Sequence, residues 1–141
     1  MTRRILPDAN LLIGAFDGEP DNPEHEAAYQ RVKDWLLDPD VKLSSTTPLV
    51  LYEVLRGVRR VSVDEMETRL KGFDIFDVHA REARRAVEIF RFAKDRSVPL
   101  DKRSFDVFHC VCAEINGLEI ASQDGDIGKI QQLIQDNKQN A

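Results

Sequence analysis

Apolar residues recur along this chain at two spacings, and the switching between them predicts an α/β fold. Short apolar runs at 3–6, 41–46, 73–78 and 118–121 read as strands, with alternation clearest in the third. A helix over 9–17 follows the first strand directly. A second, over 23–37, carries Ala28, Val32, Trp35 and Leu36 as its apolar stripe and stops at Asp38-Pro39-Asp40. Thr47-Pro48 opens a third, extending to about Arg60, with Val50, Leu51, Val54, Leu55 and Val58 on one side and Glu53, Arg56 and Arg60 on the other. A short amphipathic helix is expected at 63–72. Another, at 79–96, is expected to bury Ala83, Val87 and Phe90 while showing Arg81, Arg84, Arg85 and Arg91 to solvent. Ser104 is the expected N-cap of a helix to Asn116 whose charges are few beyond Asp106 and Glu114, so it should be buried on most sides, with Gly117 closing it. After the fourth strand, Ser122-Gln123-Asp124-Gly125-Asp126 turns into a last helix over 127–134. Short strands separated by helices imply βαβ crossovers: a small parallel sheet of four strands, or five if one follows the last helix, flanked by helices.

At 141 residues the chain suits one domain, placed over 1–135 with 136–141 as a frayed tail. Its 42% hydrophobic and 32% charged composition is globular. No stretch approaches the roughly 20 apolar residues of a membrane span, and the N-terminal apolar segment is too short for a signal peptide, so the expected location is cytoplasmic. Cys110 and Cys112, two apart on a helix, diverge and read as small buried hydrophobes. The net charge of −5 argues against a general electrostatic grip on nucleic acid, so any such chemistry needs local basic patches or bound cations. His25, His79 and His109 have no partner at metal-ligand or triad spacing, and neither a nucleophile elbow nor a glycine-rich phosphate loop is present.

Carboxylates supply the candidate chemistry. Asp8 follows the first strand, Asp106 opens the buried helix, and Asp124 with Asp126 follows the fourth strand. In a parallel sheet those positions share one edge, where ligands bind, and Glu53 is placed to reach it. Each also has a plainer reading. Asp8 suits an N-cap, Asp106 a second cap in the Ser104 turn, and Glu53 an intrahelical pair with Arg56. Oxygen donors gathered without thiols or imidazoles suit Mg²⁺ or Mn²⁺ rather than zinc, and such sites support phosphoryl transfer. Arg56 and Arg60 are candidates for phosphate contact.

The order Asp8-Ala9-Asn10-Leu11-Leu12-Ile13, Tyr52-Glu53-Val54-Leu55-Arg56-Gly57, Asp106-Val107-Phe108-His109-Cys110-Val111-Cys112-Ala113 and Ser122-Gln123-Asp124-Gly125-Asp126 resembles the PIN-domain family, and within it the VapC-type toxins. The resemblance implies a Mg²⁺- or Mn²⁺-dependent endoribonuclease, normally a homodimer, held inactive by a cognate antitoxin seated in the acidic groove. By position it implies Asp8, Glu53, Asp106 and Asp124 as the four acids, with Asp8, Asp106 and Asp124 on metal and Asp126 as alternate. It also implies support of the first acid by Asn10 and of the last loop by Ser122. The chain departs from the pattern at Pro7, Ala9 and Ile127. Two other readings compete: a haloacid-dehalogenase-like phosphatase, in which Asn10 stands in the place of the second acid, and a non-catalytic acidic module that holds a cation or partner.

Overall fold

Successive residues of a strand point to opposite faces, and Ile5 and Leu6 do so into separate cores: Ile5 with Leu11, Ala28 and Val32, Leu6 with Leu12, Val50, Val54 and Met66. Both lie on β1 (Arg3–Pro7), the centre of the main sheet. The computed structural model describes residues 2–42, 45–122 and 124–140. After β1 come α1 (Ala9–Phe16), α2 (Pro23–Leu37), β2 (Val41–Lys42), β3 (Ser45–Thr46), α3 (Pro48–Gly57) and α4 (Val63–Arg69). β4 (Asp74–Ile75), α5 (Ala80–Asp95), α6 (Ser104–Asn116), β5 (Glu119–Ala121) and α7 (Gly125–Gln139) complete the chain. α2 covers one face of β1, α3 and α4 the other, and α5, α6 and α7 enclose a further cluster around Ile89, Val111 and Ile130.

The parallel arrangement agrees with the sequence, but the single sheet of four or five strands is corrected. Among the described residues the main sheet has three strands, ordered β2-β1-β5, while β3 and β4 form a separate parallel ladder and no strand follows α7. The second apolar run is divided: its start pairs with β1, Arg3 opposite Val41, and its end with β4, Thr46 opposite Ile75. Pro7 supplies a reason. The Asp8 amide donates toward β5, so by alternation the preceding residue faces the β3 side, where proline has no N–H to offer. Residues 43 and 44 of that expected strand, and Gln123 of the acidic turn, lie outside the described residues.

Helix limits shift where side chains claim backbone groups. α3 stops at Gly57, because the amides of Arg59, Arg60 and Val61 turn to the Asp17 carboxylate at 2.9, 2.8 and 2.7 Å. α5 buries Ala86, Ile89 and Ala93 rather than Ala83 and Val87, with Arg85 drawn inward to Glu114, and Leu36 of α2 is exposed. α7 continues through the stretch read as a frayed tail, held by Asn137 and Lys138, which bond to Arg85 and Glu114. α6 is buried on most sides as expected, and Gly117 ends it in the left-handed conformation, φ 67°. Ser104 is its first residue rather than its cap; Arg103 holds the cap position.

Candidate active site

Strands that run parallel end together, so the residues following β1 and β5 become neighbours. Pro7 is opposite Ala121, and the Asp8 amide donates to the Ala121 carbonyl at 2.9 Å, which sets Asp8 beside Ser122. Asp8 divides its oxygens. Oδ1 accepts from the Leu11 amide at 3.0 Å and caps α1; Oδ2 accepts from the Ser122 hydroxyl. Ser122 Oγ in turn accepts from the Asp124 amide at 2.9 Å, and Asp124 Oδ1 accepts from the Asp126 amide at 2.9 Å, capping α7. One hydroxyl thus links the first acid to the acidic turn 114 positions away. Asn10 stands exposed on the first turn of α1, and among the described residues the Asp8 carboxylate bonds to Leu11 and Ser122.

Asp106 stands on the first turn of α6, half-buried. Its carboxyl is pushed above the usual carboxylate range, first by burial; His109 opposes this, Asp124 and Glu53 add to it, and Arg103 opposes it again. Asp106, Asp124 and Glu53 therefore share one electrostatic neighbourhood. Arg103 spans two acids, with Nη2 at 2.6 Å from Asp126 Oδ2 and Nη1 at 3.7 Å from Asp106 Oδ2. Lys129 also approaches Asp126, at 3.7 Å. Asp126 is thereby neutralised by cations, whereas Asp124 acts on Asp106.

Glu53 pairs across the interface of α3 and α6 rather than along α3. Its Oε1 accepts from His109 Nε2 at 2.6 Å, and the Arg56 guanidinium instead lies over the Tyr52 ring, 5.1 Å from its centroid. A carboxylate can only accept, so the proton of this bond belongs to Nε2. His109 is 3% exposed, and its Nδ1 has no hydrogen-bond partner among the described residues. The sequence reading gave His109 no role; the signal lay in its place three residues after Asp106, on the same helical face. Arg103 was also missed. Arg60 is not brought to the face of Glu53: it lies beyond the end of α3, exposed, with its amide bound to Asp17. Cys110 and Cys112 are free and buried, with burial pushing their thiols up to about 12 and about 11.

Fold and site together define a class: an α/β protein with an oxygen-rich acidic edge at the carboxyl ends of parallel strands. The PIN domain family profile matches residues 5–133, and the chain belongs to the PIN domain family. PIN domains are generally nucleases, and they typically use divalent metal ions. The solved structure of FitAB bound to an IR36 DNA fragment shares the fold, with a TM-score of 0.65 and 17% identity over 91% of this chain and 90% of that chain. A comparison with curated proteins gave no match. Among the described residues no helix is long and apolar enough to cross a membrane.

The donor chemistry suits such an ion. Asp8, Asp106 and Asp124 offer oxygen alone, and the Asp106 carboxyl, raised first by burial and further by the charges of Asp124 and Glu53, stands where a cation would offset both. Among the described residues no three carboxylate, imidazole or thiol groups already form a cation cage. Protein donors hold these groups instead: Ser122 and Leu11 on Asp8, His109 on Glu53, Arg103 on Asp126.

Proposed function

We propose that this chain is a metal-dependent endoribonuclease that hydrolyses RNA phosphodiester bonds and acts as the toxin of a toxin–antitoxin pair. The observation that carries this is the sheet register that sets Asp8 beside Ser122 and through it beside Asp124, with Asp106 in the same electrostatic neighbourhood. In this reading Asp8, Asp106 and Asp124 hold Mg²⁺ or Mn²⁺, and Asp124 is preferred to Asp126 because Arg103 and Lys129 already neutralise the latter. The ion, when bound, supplies positive charge against the phosphate and acidifies a water.

The chain's own residues do the rest. Glu53 accepts the proton of the attacking water at a carboxylate oxygen, and His109 aims that carboxylate through Nε2–H. Ser122 keeps Asp8 and the acidic turn in register. Arg56, exposed on α3, meets backbone phosphate. The resemblance to VapC-type toxins supports a homodimer, a cytoplasmic setting and an antitoxin partner that covers the acidic edge.

The test is Asp8→Asn. Asparagine keeps an oxygen to cap α1, so the variant should melt within a few degrees of the parent while losing internal cleavage of single-stranded RNA. Cleavage equal to that of the parent, with both preparations free of contaminating nuclease, would remove Asp8 from the mechanism.

A further inference from the structure

Two of the acids on α3 and α6 are each preceded by an aromatic residue: Tyr52 before Glu53 and Phe105 before Asp106. Apolar neighbours on the same helices are buried, Val50 and Val54 on α3 and Val107 and Val111 on α6, yet Tyr52 is 52% exposed and Phe105 37%. The two rings meet edge to face, centroids 6.0 Å apart at 64°. The Arg56 guanidinium carbon lies over the Tyr52 ring, 5.1 Å from its centroid, and Phe105 also meets the His109 ring at 6.4 Å. A cavity of about 280 Å³ opens beside this group, lined by Glu53, Arg56, Asp101, Lys102, Ser104 and Phe105, with Tyr52 behind Phe105 and outside the lining.

We infer that Phe105, backed by Tyr52 and flanked by Arg56, forms a stacking subsite for one unpaired nucleobase of single-stranded RNA, next to the phosphate that Glu53 faces. The inference rests on the ribonuclease reading and adds to it how the strand is held. Aromatic rings and guanidinium planes accept the π-face of any base, whereas a base inside a duplex has its faces covered. The cavity lies just under the roughly 300–1,000 Å³ of drug-sized pockets and so suits one planar ring system rather than a larger ligand. Arg56 and Lys102 offset the carboxylates of Glu53 and Asp101 in the same lining, which eases the repulsion that a protein of net charge −5 otherwise presents to the strand. Phe105 packs on the imidazole that aims Glu53, so a base stacked on it settles against the acid proposed to act on water.

The experiment uses the Asp8→Asn chain, which should bind without cleaving, and a single-stranded RNA oligonucleotide carrying 2-aminopurine beside the cleavage position mapped with the parent, or at successive positions if the parent does not cleave. Stacking should quench the probe. Adding Phe105→Ala should abolish the quench and weaken binding about tenfold, Phe105→Trp should retain both, and an abasic nucleotide at that position should cost the same in the Asp8→Asn chain and nothing further beside Phe105→Ala. The abasic arm leaves the protein unaltered, so the outcome stands even if Phe105→Ala fails to fold. Equal binding of abasic and base-bearing RNA overturns the subsite, as does a Tyr52→Ala/Phe105→Ala chain that loses self-association in light scattering yet binds RNA unchanged, since the surface is then an interface between copies. If the parent fails to cleave RNA while the quench persists, the ribonuclease reading falls and the subsite stands; if the parent cleaves but the abasic oligonucleotide binds as well, the reverse holds.

Discussion

Asp8 is both the helix cap and the candidate active-site acid, because its two oxygens face different partners. The sequence reading set these roles against each other; the register of β1 and β5 lets one residue serve both. Asp8 was legible because it directly follows an apolar strand, and Ser122 through the family resemblance. His109 and Arg103 were not, because each is defined by a partner on another element: Glu53 lies 56 positions from His109, and Asp126 stands on the first turn of α7. His109→Ala should leave Glu53 without its donor and reduce turnover about 10- to 100-fold, the usual cost of losing a group that orients an active-site ligand. His109→Gln, which returns an N–H near the position of Nε2, should restore most of it. A purely structural role would instead give equal melting losses in both variants with turnover per folded molecule unchanged. Steady-state rates paired with thermal melts separate the two.

At the scale of elements, the acidic loop after α1 looked solvated in sequence, yet Asp17 is 5% exposed and accepts three backbone amides from the segment joining α3 to α4. Nothing local announces this, since the donors lie more than 40 positions away. Burial alone would raise the Asp17 carboxyl, but the amides of Arg59, Val61 and Arg60 outweigh it and hold it below the ordinary range. A carboxyl lowered by folding adds stability that is present above its unfolded pKa, about 3.9, and is lost as pH falls through the folded value. Asp17→Asn presents an NH₂ to amide donors and should cost about 1.5–3 kcal/mol at pH 7. Its urea midpoint should also fall less than the parent's between pH 7 and pH 3; parallel falls would mean that Asp17 does not carry the acid sensitivity. The end of α7 teaches the same lesson. It reads as a fraying tail until Glu114, mostly buried on α6, is seen between Arg85 at 2.9 Å and Lys138 at 3.2 Å. Arg85→Ala leaves that carboxylate without its two-pronged partner and should destabilise by about 2–4 kcal/mol in urea titration, with Lys138→Ala well under half of that because its ammonium is half-exposed.

Taken whole, the molecule is a short parallel sheet whose carboxyl ends gather acids from the two ends of the sequence, and that plan was readable from strand–helix alternation alone. What was not readable is how the sheet divides, because it depends on which side of β1 Pro7 faces. Charge crowding on the acidic edge should make the fold responsive to cations. Mn²⁺ at about 100 times its dissociation constant should stabilise the parent by about 2.7 kcal/mol, and Asp8→Asn or Asp106→Asn should blunt this shift; a shift unchanged in both variants would place the ion elsewhere. The most direct test of the central claim is internal cleavage of one end-labelled single-stranded RNA by the parent and by Asp106→Asn, each with Mn²⁺ and with excess EDTA. The account predicts discrete internal products from the parent with Mn²⁺ alone, and intact RNA in the other three reactions. Equal cleavage by Asp106→Asn, or cleavage by the parent that EDTA leaves untouched, would contradict it.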